Sequence, residues 1–330
     1  MAVDVYSLQC SDAIIDCVFA YPPIPAQNQA MPGQPANSST TRVAILDHTA
    51  AMGGGEVALL NLARNLDPLR VQLLVVLFSD GPLREKLDAS GIATLVLPLD
   101  AGIIQTRKDS IGGKSLLRLG TLSSALGFVR RLARELKARD IQIVHTNSLK
   151  SDILGGLAGR WAGIPVLWHV RDRIAGDYLP GPVAIVFRVL ARIIPRHVIA
   201  ISLATLNTLR IRHGDGEESA PVSKRFTVVY DGTIVPPISD TPVASDQLLV
   251  GLVGRISPWK GQHVFLRAIA LIRSRFPNVK FQIIGSALFS EGDYEKQVRG
   301  LSTSLGLDDI VEFTGFRDDV ADMIGCLDVL

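Results

Sequence analysis

Gly254-Arg255-Ile256-Ser257-Pro258-Trp259-Lys260-Gly261 joins two patterns of different period. Before it runs Leu248-Leu249-Val250-Gly251-Leu252-Val253, apolar throughout and short enough for a buried strand. After it, residues 262–272 (QHVFLRAIALI) repeat their apolar members at helical spacing. The octapeptide is therefore a strand-to-helix turn shaped by Pro258 and two glycines, and it carries an arginine and a lysine. A helix N-terminus offers unpaired N–H groups and a partial positive charge. Two cations beside it make a seat for a diphosphate. A solvated loop with two ordinary surface charges fits the turn alone equally well.

Working outward, the same alternation fills most of the chain. Apolar strand patterns fall at 43–47, 71–78, 93–97, 141–145, 165–169, 197–201 and 225–230, with helical patterns at 55–66, 82–89, 115–138, 149–162, 182–194 and 203–212. Residues 236–247 then turn proline-rich and aperiodic. A second alternation follows, with strands at 248–253, 279–284 and 310–314 and helices at 261–275, 294–305 and 318–326. Apolar strands alternating with helices imply parallel sheets covered on both faces. The expected fold is α/β, with two doubly wound, Rossmann-like domains facing a cleft. Residues 42–235 form the first domain, 236–247 a hinge, and 248–330 a second domain with an incomplete strand complement. Ligands of such sheets bind beyond the carboxyl ends of the strands, so the site is expected in the cleft.

Composition narrows the function. The 330 residues are 47% hydrophobic, ample for two cores. Thirty-four basic residues against 32 acidic ones give no global pull toward nucleic acid. Cys10, Cys17 and Cys326 lack metal-ligand spacing, which argues against zinc and for a reducing compartment. Residues 1–41 are proline- and serine-rich and are expected to be a disordered extension. The apolar patch at 13–20 is too short to span a bilayer and has no basic flank.

The first domain opens with its own glycine turn, Gly53-Gly54-Gly55-Glu56, after the strand at 43–47. Bare backbone there can approach a ligand closely. Its spacing matches neither a dinucleotide fingerprint nor a P-loop. The plainer reading is a tight turn that needs positive φ angles.

Gly53-Gly-Gly-Glu56 with its Leu-Leu-Asn-Leu-Ala helix resembles the opening of glycosyltransferase family 4, whose fold is GT-B. The segments 143–147 (IVHTN), 163–172 (GIPVLWHVRD) and 198–202 (VIAIS) match successive strand ends of that family's acceptor domain. The segment 228–232 (VVYDG) resembles the approach to its hinge, with Asp231 where the family usually has asparagine. Gly254-Arg255, Lys260-Gly261, Ile283-Ile-Gly285 and 311–315 (VEFTG) match the first half of its nucleotide-sugar domain. The motifs are individually weak, but their order from Arg42 to the last residue is specific.

The resemblance implies transfer of a sugar, with retained configuration, from a nucleotide-sugar to a hydroxyl of a glycan or lipid-linked acceptor. It places the protein in polysaccharide or glycolipid assembly, in the cytoplasm or at the inner face of the membrane. Arg255 and Lys260 would hold the donor diphosphate and neutralise charge on the leaving phosphate. Gly53, Gly54 and Gly55 would approach donor phosphate or acceptor hydroxyl, and Gly285 belongs to the donor set. His169 matches a histidine that contacts the transferred sugar. The backbone at Phe316 and Arg317 matches the nucleobase position. Glu56, His145 and Asn147 fall on the acceptor side. No cofactor or metal is implied.

Each has a plainer alternative. His169 can be a hydrogen-bonded core histidine, Asn147 a helix cap, and Glu56 a first-turn acid favoured by the dipole. Arg171 and Asp172 read as loop-surface charges paired with neighbours. The family's second domain continues past Asp328-Val-Leu330 with a Glu-x7-Glu element, so a truncated chain of weak or no activity is the expectation. Two rivals remain: a non-catalytic nucleotide-binding fragment, and a nucleotide-sugar 2-epimerase, for which no acid–base set can be assigned. Peripheral membrane contact is suggested by basic residues at 103–118 and 130–139, and by the apolar helix with Arg188 and Arg192. A core helix with solvated basic neighbours is the slightly favoured alternative.

Overall fold

The computed structural model describes residues 40–100, 119–176, 178–211, 225–232, 247–288 and 291–330. The chain divides into two units, residues 1–233 and 234–330. The expected extension and hinge fall almost wholly outside the described residues, as does the basic stretch at 103–118.

In the first unit seven parallel strands are β1 (Thr41–Asp47), β2 (Val71–Leu77), β3 (Ala93–Val96), β4 (Ile143–Thr146), β5 (Val166–Val170), β6 (His197–Ala200) and β7 (Phe226–Val228). Their order in the sheet is β3-β2-β1-β4-β5-β6-β7. The helices are α1 (Gly54–Asn65), α2 (Pro82–Ala89), α3 (Leu119–Ala138), α4 (Leu149–Ala162), α5 (Gly181–Ile193) and α6 (Leu203–Thr208). Every residue of β4, β5 and β6 is buried, which is why these strands read as continuous apolar runs. One core packs α1 and α2 against one face through Leu59, Leu60, Leu83 and Leu87. A second core packs α3, α4 and α5 against the opposite face around Trp168 and Phe187.

The chain leaves β1 toward β2 and returns on its other side as β4. Strand order thus reverses between β1 and β4, the place where such sheets open a crevice at their carboxyl ends. Helix α4 is pressed unusually close to that point. A Cβ on Gly155 would come within 2.4 Å of Leu46, and one on Gly159 within 2.5 Å of Val166. Alanine at either position would force a shift in a filled core. Gly155 thus lets the middle of α4 lie on the ends of β1 and β4, and Gly159 lets its last turns lie on the starts of β4 and β5.

The second unit has three parallel strands, β8 (Leu248–Val253), β9 (Val279–Ile284) and β10 (Val311–Gly315), in the order β10-β9-β8. Its helices are α7 (Gln262–Ile272), α8 (Gly292–Ser304) and α9 (Val320–Gly325), with one 3-10 turn at Pro258–Lys260. Leu266, Ile269, Phe281, Ile283 and Val298 make its core. Val329 pairs in parallel with Val250 of β8, and the Leu327 side chain fills the space above Gly251.

Predicted and observed elements agree in type, with small shifts at their ends. His169 is one residue short of the end of β5 rather than at it. Residues 141 and 142 precede β4.

Candidate functional site

The first unit gathers its polar residues where β1, β4 and β5 end. Asp47, fully buried, accepts hydrogen bonds from Asn147 Nδ2 (2.7 Å) and Ser148 Oγ (2.9 Å), with His48 Nδ1 at 3.3 Å. Burial pushes its pKa up, but the hydrogen bond and charge of His48 and the bonds from Asn147 and Ser148 outweigh it. The net shift is downward, so Asp47 is a carboxylate. Asn147 Nδ2 also donates to the Gly55 carbonyl (3.2 Å), while its Oδ1 accepts from Arg171 Nε (2.8 Å).

Arg171 is the hub that sequence reading missed. Its side chain is 8% exposed, and Nη1 reaches both carboxylate oxygens of Asp231 at 2.6 and 2.7 Å. It is no loop-surface charge. The alternation of β5 puts Arg171 on the same face as His169, and that spacing of two was the available signal. Asp172 differs: it accepts from the Tyr178 hydroxyl. His145 Nε2 lies 3.1 Å from His169 Nδ1, both rings buried. Burial, then the charge of Arg171, lowers the His145 pKa to about 3. His169 is held well below its ordinary value by burial, then by Arg171 and His145.

Glu56, in the first turn of α1, accepts from the Gly53 backbone N–H at 3.0 Å. Burial and then the negative charge of Asp47 raise its pKa to about 7. Proton exchange near neutral pH is therefore open to it. The three glycines do not serve a tight turn: none of Gly53, Gly54 and Gly55 has positive φ. A Cβ on Gly54 would meet nothing within 4 Å, and one on Gly55 would only touch the Arg171 stem at 3.4 Å. Thus Gly53, Gly54, Gly55, Glu56, His145, Asn147 and His169 fall in one cluster. Asp47, Ser148, Arg171 and Asp231 join it without having been anticipated.

The second unit is built the opposite way. Gly254, Gly285 and Gly315 stand at the carboxyl ends of its three strands with φ of 152°, 136° and 72°. A Cβ on Gly285 would lie 2.2 Å from the Gly254 carbonyl oxygen, so this position requires glycine for the fold itself. Gln262, buried at the start of α7, donates to the Arg255 carbonyl (2.9 Å) and accepts from Ser257 N–H (3.4 Å), fixing the turn. Sequence reading took Gln262 only as a helix residue. Arg255 is half-buried, with Nε 3.2 Å from Glu291 and its guanidinium 5.3 Å from the centre of the Trp259 ring. Lys260 is exposed on the 3-10 turn before left-handed Gly261. Phe316 is exposed, and Arg317 pairs with Asp319 at 2.8 Å.

Among the described residues no group of three or more His, Cys, Asp or Glu could hold a metal. None of their helices is long and apolar enough to cross a membrane.

Comparison with known proteins gives this arrangement a family. Glycosyltransferase Family 4 matches residues 52–232, more than half of the chain, and Glycosyl transferases group 1 matches 238–330. The chain belongs to glycosyltransferase family 4, and its two Rossmann-like units are those of a GT-B fold. No curated protein sequence matches significantly. Among solved structures, Anabaena Alr3699/HepE in complex with UDP-glucose is 26% identical with a TM-score of 0.69, over 87% of this chain and 72% of that one. A glycosyltransferase of Rickettsia africae ESF-5 (17% identity, TM-score 0.62, 88% and 72% covered) shares the fold. So does sucrose-phosphate synthase of Thermosynechococcus elongatus (18%, 0.60, 87% and 74%).

Proposed function

We propose that this chain transfers a sugar from a nucleotide-sugar to a hydroxyl of a glycan or lipid-linked acceptor, with retention at the anomeric carbon. The observation that carries the reading is the β8–α7 turn. There Arg255 and Lys260 flank the start of a helix on a backbone held by Gln262 and shaped by two positive-φ glycines, Gly254 and Gly261. Fixed cations at a helix N-terminus suit a diphosphate whose charge grows as the glycosidic bond breaks. The UDP-glucose held by the Anabaena relative makes uridine nucleotides the first donors to test.

In this reading the Gly53–Gly55 backbone lies open because a ligand approaches it, since the fold itself does not ask for glycine at Gly54. His169 contacts the transferred sugar, Gly285 keeps the donor floor free of side chains, and the backbone at Phe316 and Arg317 meets the base. His145 and Asn147 order the acceptor side. Glu56, titrating near neutrality, takes up the acceptor proton. The domain limits follow: residues 42–235 acceptor-side, 236–247 linker, 248–330 donor-side.

The acceptor is further proposed to be reached at an anionic lipid surface. Helix α5 buries Ala184, Phe187 and Ala191 but exposes Ile185, Val186, Val189 and Ile193, which a pure core helix would not do. Trp161 of α4 is exposed beside Arg130 of α3, on the same side of the sheet. Arg188 is half-buried and donates to the Ile174 and Thr208 carbonyls, while Arg192, exposed beside Ile193, also donates to the Leu209 carbonyl. Most of the basic charge comes from α3, whose Arg130, Arg131, Arg134 and Lys137 are exposed. Binding to vesicles containing phosphatidylserine, lost at high salt and in Ile185→Ser with Val189→Ser, is the expected result; salt-insensitive or absent binding contradicts it.

A thermal-shift screen of UDP- and GDP-sugars, followed by a transfer assay with the donor that stabilises most, tests the main reading. Product with retained configuration supports it. Tight nucleotide binding without turnover points to a binding module instead.

A further inference from the structure

The two buried histidines fix each other's protons. The rings stack with centroids 5.2 Å apart, and His145 Nε2 faces His169 Nδ1 at 3.1 Å. Arg171 Nη2 approaches the same Nδ1 at 3.5 Å. A guanidinium carries N–H donors and no acceptor. A proton on His169 Nδ1 could be given to His145 Nε2 but would stand N–H against N–H with the cationic Arg171, whereas a lone pair there accepts from both neighbours, so the guanidinium favours the bare nitrogen. A neutral ring then carries its proton on Nε2, and His145 donates from its own Nε2. His169 Nε2 is buried with no hydrogen-bond partner among the described residues. An N–H left unused in a buried position is costly unless something arrives to accept it.

We propose that Arg171 is a positioning residue that locks His169 as the Nε2–H tautomer, so that His169 meets substrate as a hydrogen-bond donor to a sugar oxygen and not as a base. The proposal rests on the reading that His169 touches the transferred sugar. Arg171 cannot swing away. Its Nε is held by Asn147, its Nη1 by both oxygens of Asp231, and its stem lies under Gly55. Asp231 is what balances the guanidinium charge. The groups acting on the His169 ring are Arg171, directly after β5, and His145 from β4. Asp231, after β7, meets the guanidinium, and Glu56 of α1 belongs to the same cluster.

The test is nitrogen-15 NMR of the imidazoles in the full chain, with the His169 signals assigned by their loss in His169→Gln. Wild type is expected to show His169 Nδ1 unprotonated and Nε2 protonated from about pH 5 to about pH 9, with no titration near the ordinary ~6.5. Arg171→Gln should populate the other tautomer while burial still keeps the ring neutral, whereas Arg171→Lys, still a donor only, should hold Nδ1 bare. A purely structural role for Arg171 would leave the tautomer ratio unmoved. A protonated Nδ1 in wild type overturns the proposal even if no variant folds, and so does an Arg171→Gln spectrum unchanged from wild type. The underlying reading is checked separately. His169→Gln should weaken UDP-glucose about tenfold while leaving free UDP unchanged. Equal losses for both ligands, or none, reject the sugar contact without touching the tautomer result.

Discussion

The two strand-to-helix turns, Gly53–Gly55 in the first unit and Gly254–Gly261 in the second, use glycine for opposite reasons. In the second unit the glycines are demanded by the backbone: positive φ at Gly254, Gly285 and Gly315, and no room for a Cβ at Gly285. In the first, none has positive φ and Gly54 faces open space. The cationic and polar side chains are inverted as well. Arg255 and Lys260 are half-buried or exposed, while Asp47, Asn147 and Arg171 are packed into one closed network. One unit has a rigid backbone that offers side chains. The other has a rigid side-chain network that offers backbone.

Replacing Gly285 with alanine should break the contrast most. A methyl placed 2.2 Å from a carbonyl oxygen at φ of 136° should cost about 4 kcal/mol in urea unfolding of the second unit. Gly54→Ala should change stability by less than about 0.5 kcal/mol and yet reduce transfer. A stable Gly285→Ala, or a Gly54→Ala that unfolds the first unit, would erase the distinction.

Asp47→Ala comes next. It strips acceptors from Asn147 and Ser148 in a buried setting, and about 3 kcal/mol should be lost. Normal stability would mean that the network does not organise the first unit.

The pH dependence of Glu56 sharpens the picture further. Its folded pKa of about 7 lies above the ordinary 4.5, so between these values the folded carboxyl keeps a proton that the unfolded chain gives up. Stability should therefore fall as pH rises through that window, and Glu56→Gln should remove about 2 kcal/mol of the fall. Asp47, shifted downward, acts in the opposite sense and only below its ordinary 3.8. Parallel stability–pH curves for wild type and Glu56→Gln would contradict the buried position of this acid.

The sequence carried the fold nearly whole, because strand runs and helical spacing are local signals. Leu248–Val253 and Val279–Ile284 match residue for residue. The second-unit turn was equally legible, since Arg255, Lys260 and both glycines lie within eight residues. The first-unit network was not. Asp47 and Asn147 are one hundred positions apart and Arg171 and Asp231 sixty, so only the sheet register, β1 to β4 for the first pair and β5 through β6 to β7 for the second, brings them together. The positive-φ reading of Gly53–Gly55 failed because three glycines in a row signal permission, and permission need not be used.

Calorimetric titration of UDP into wild type, Arg255→Ala and Lys260→Ala tests the central claim most directly. The account predicts about a hundredfold loss of affinity for Arg255→Ala and about tenfold for exposed Lys260→Ala, with the unfolding midpoint unchanged in Lys260→Ala and lowered slightly in Arg255→Ala by loss of the contact to Glu291. Wild-type affinity in both variants would contradict it, and the diphosphate would have to be sought elsewhere in the molecule.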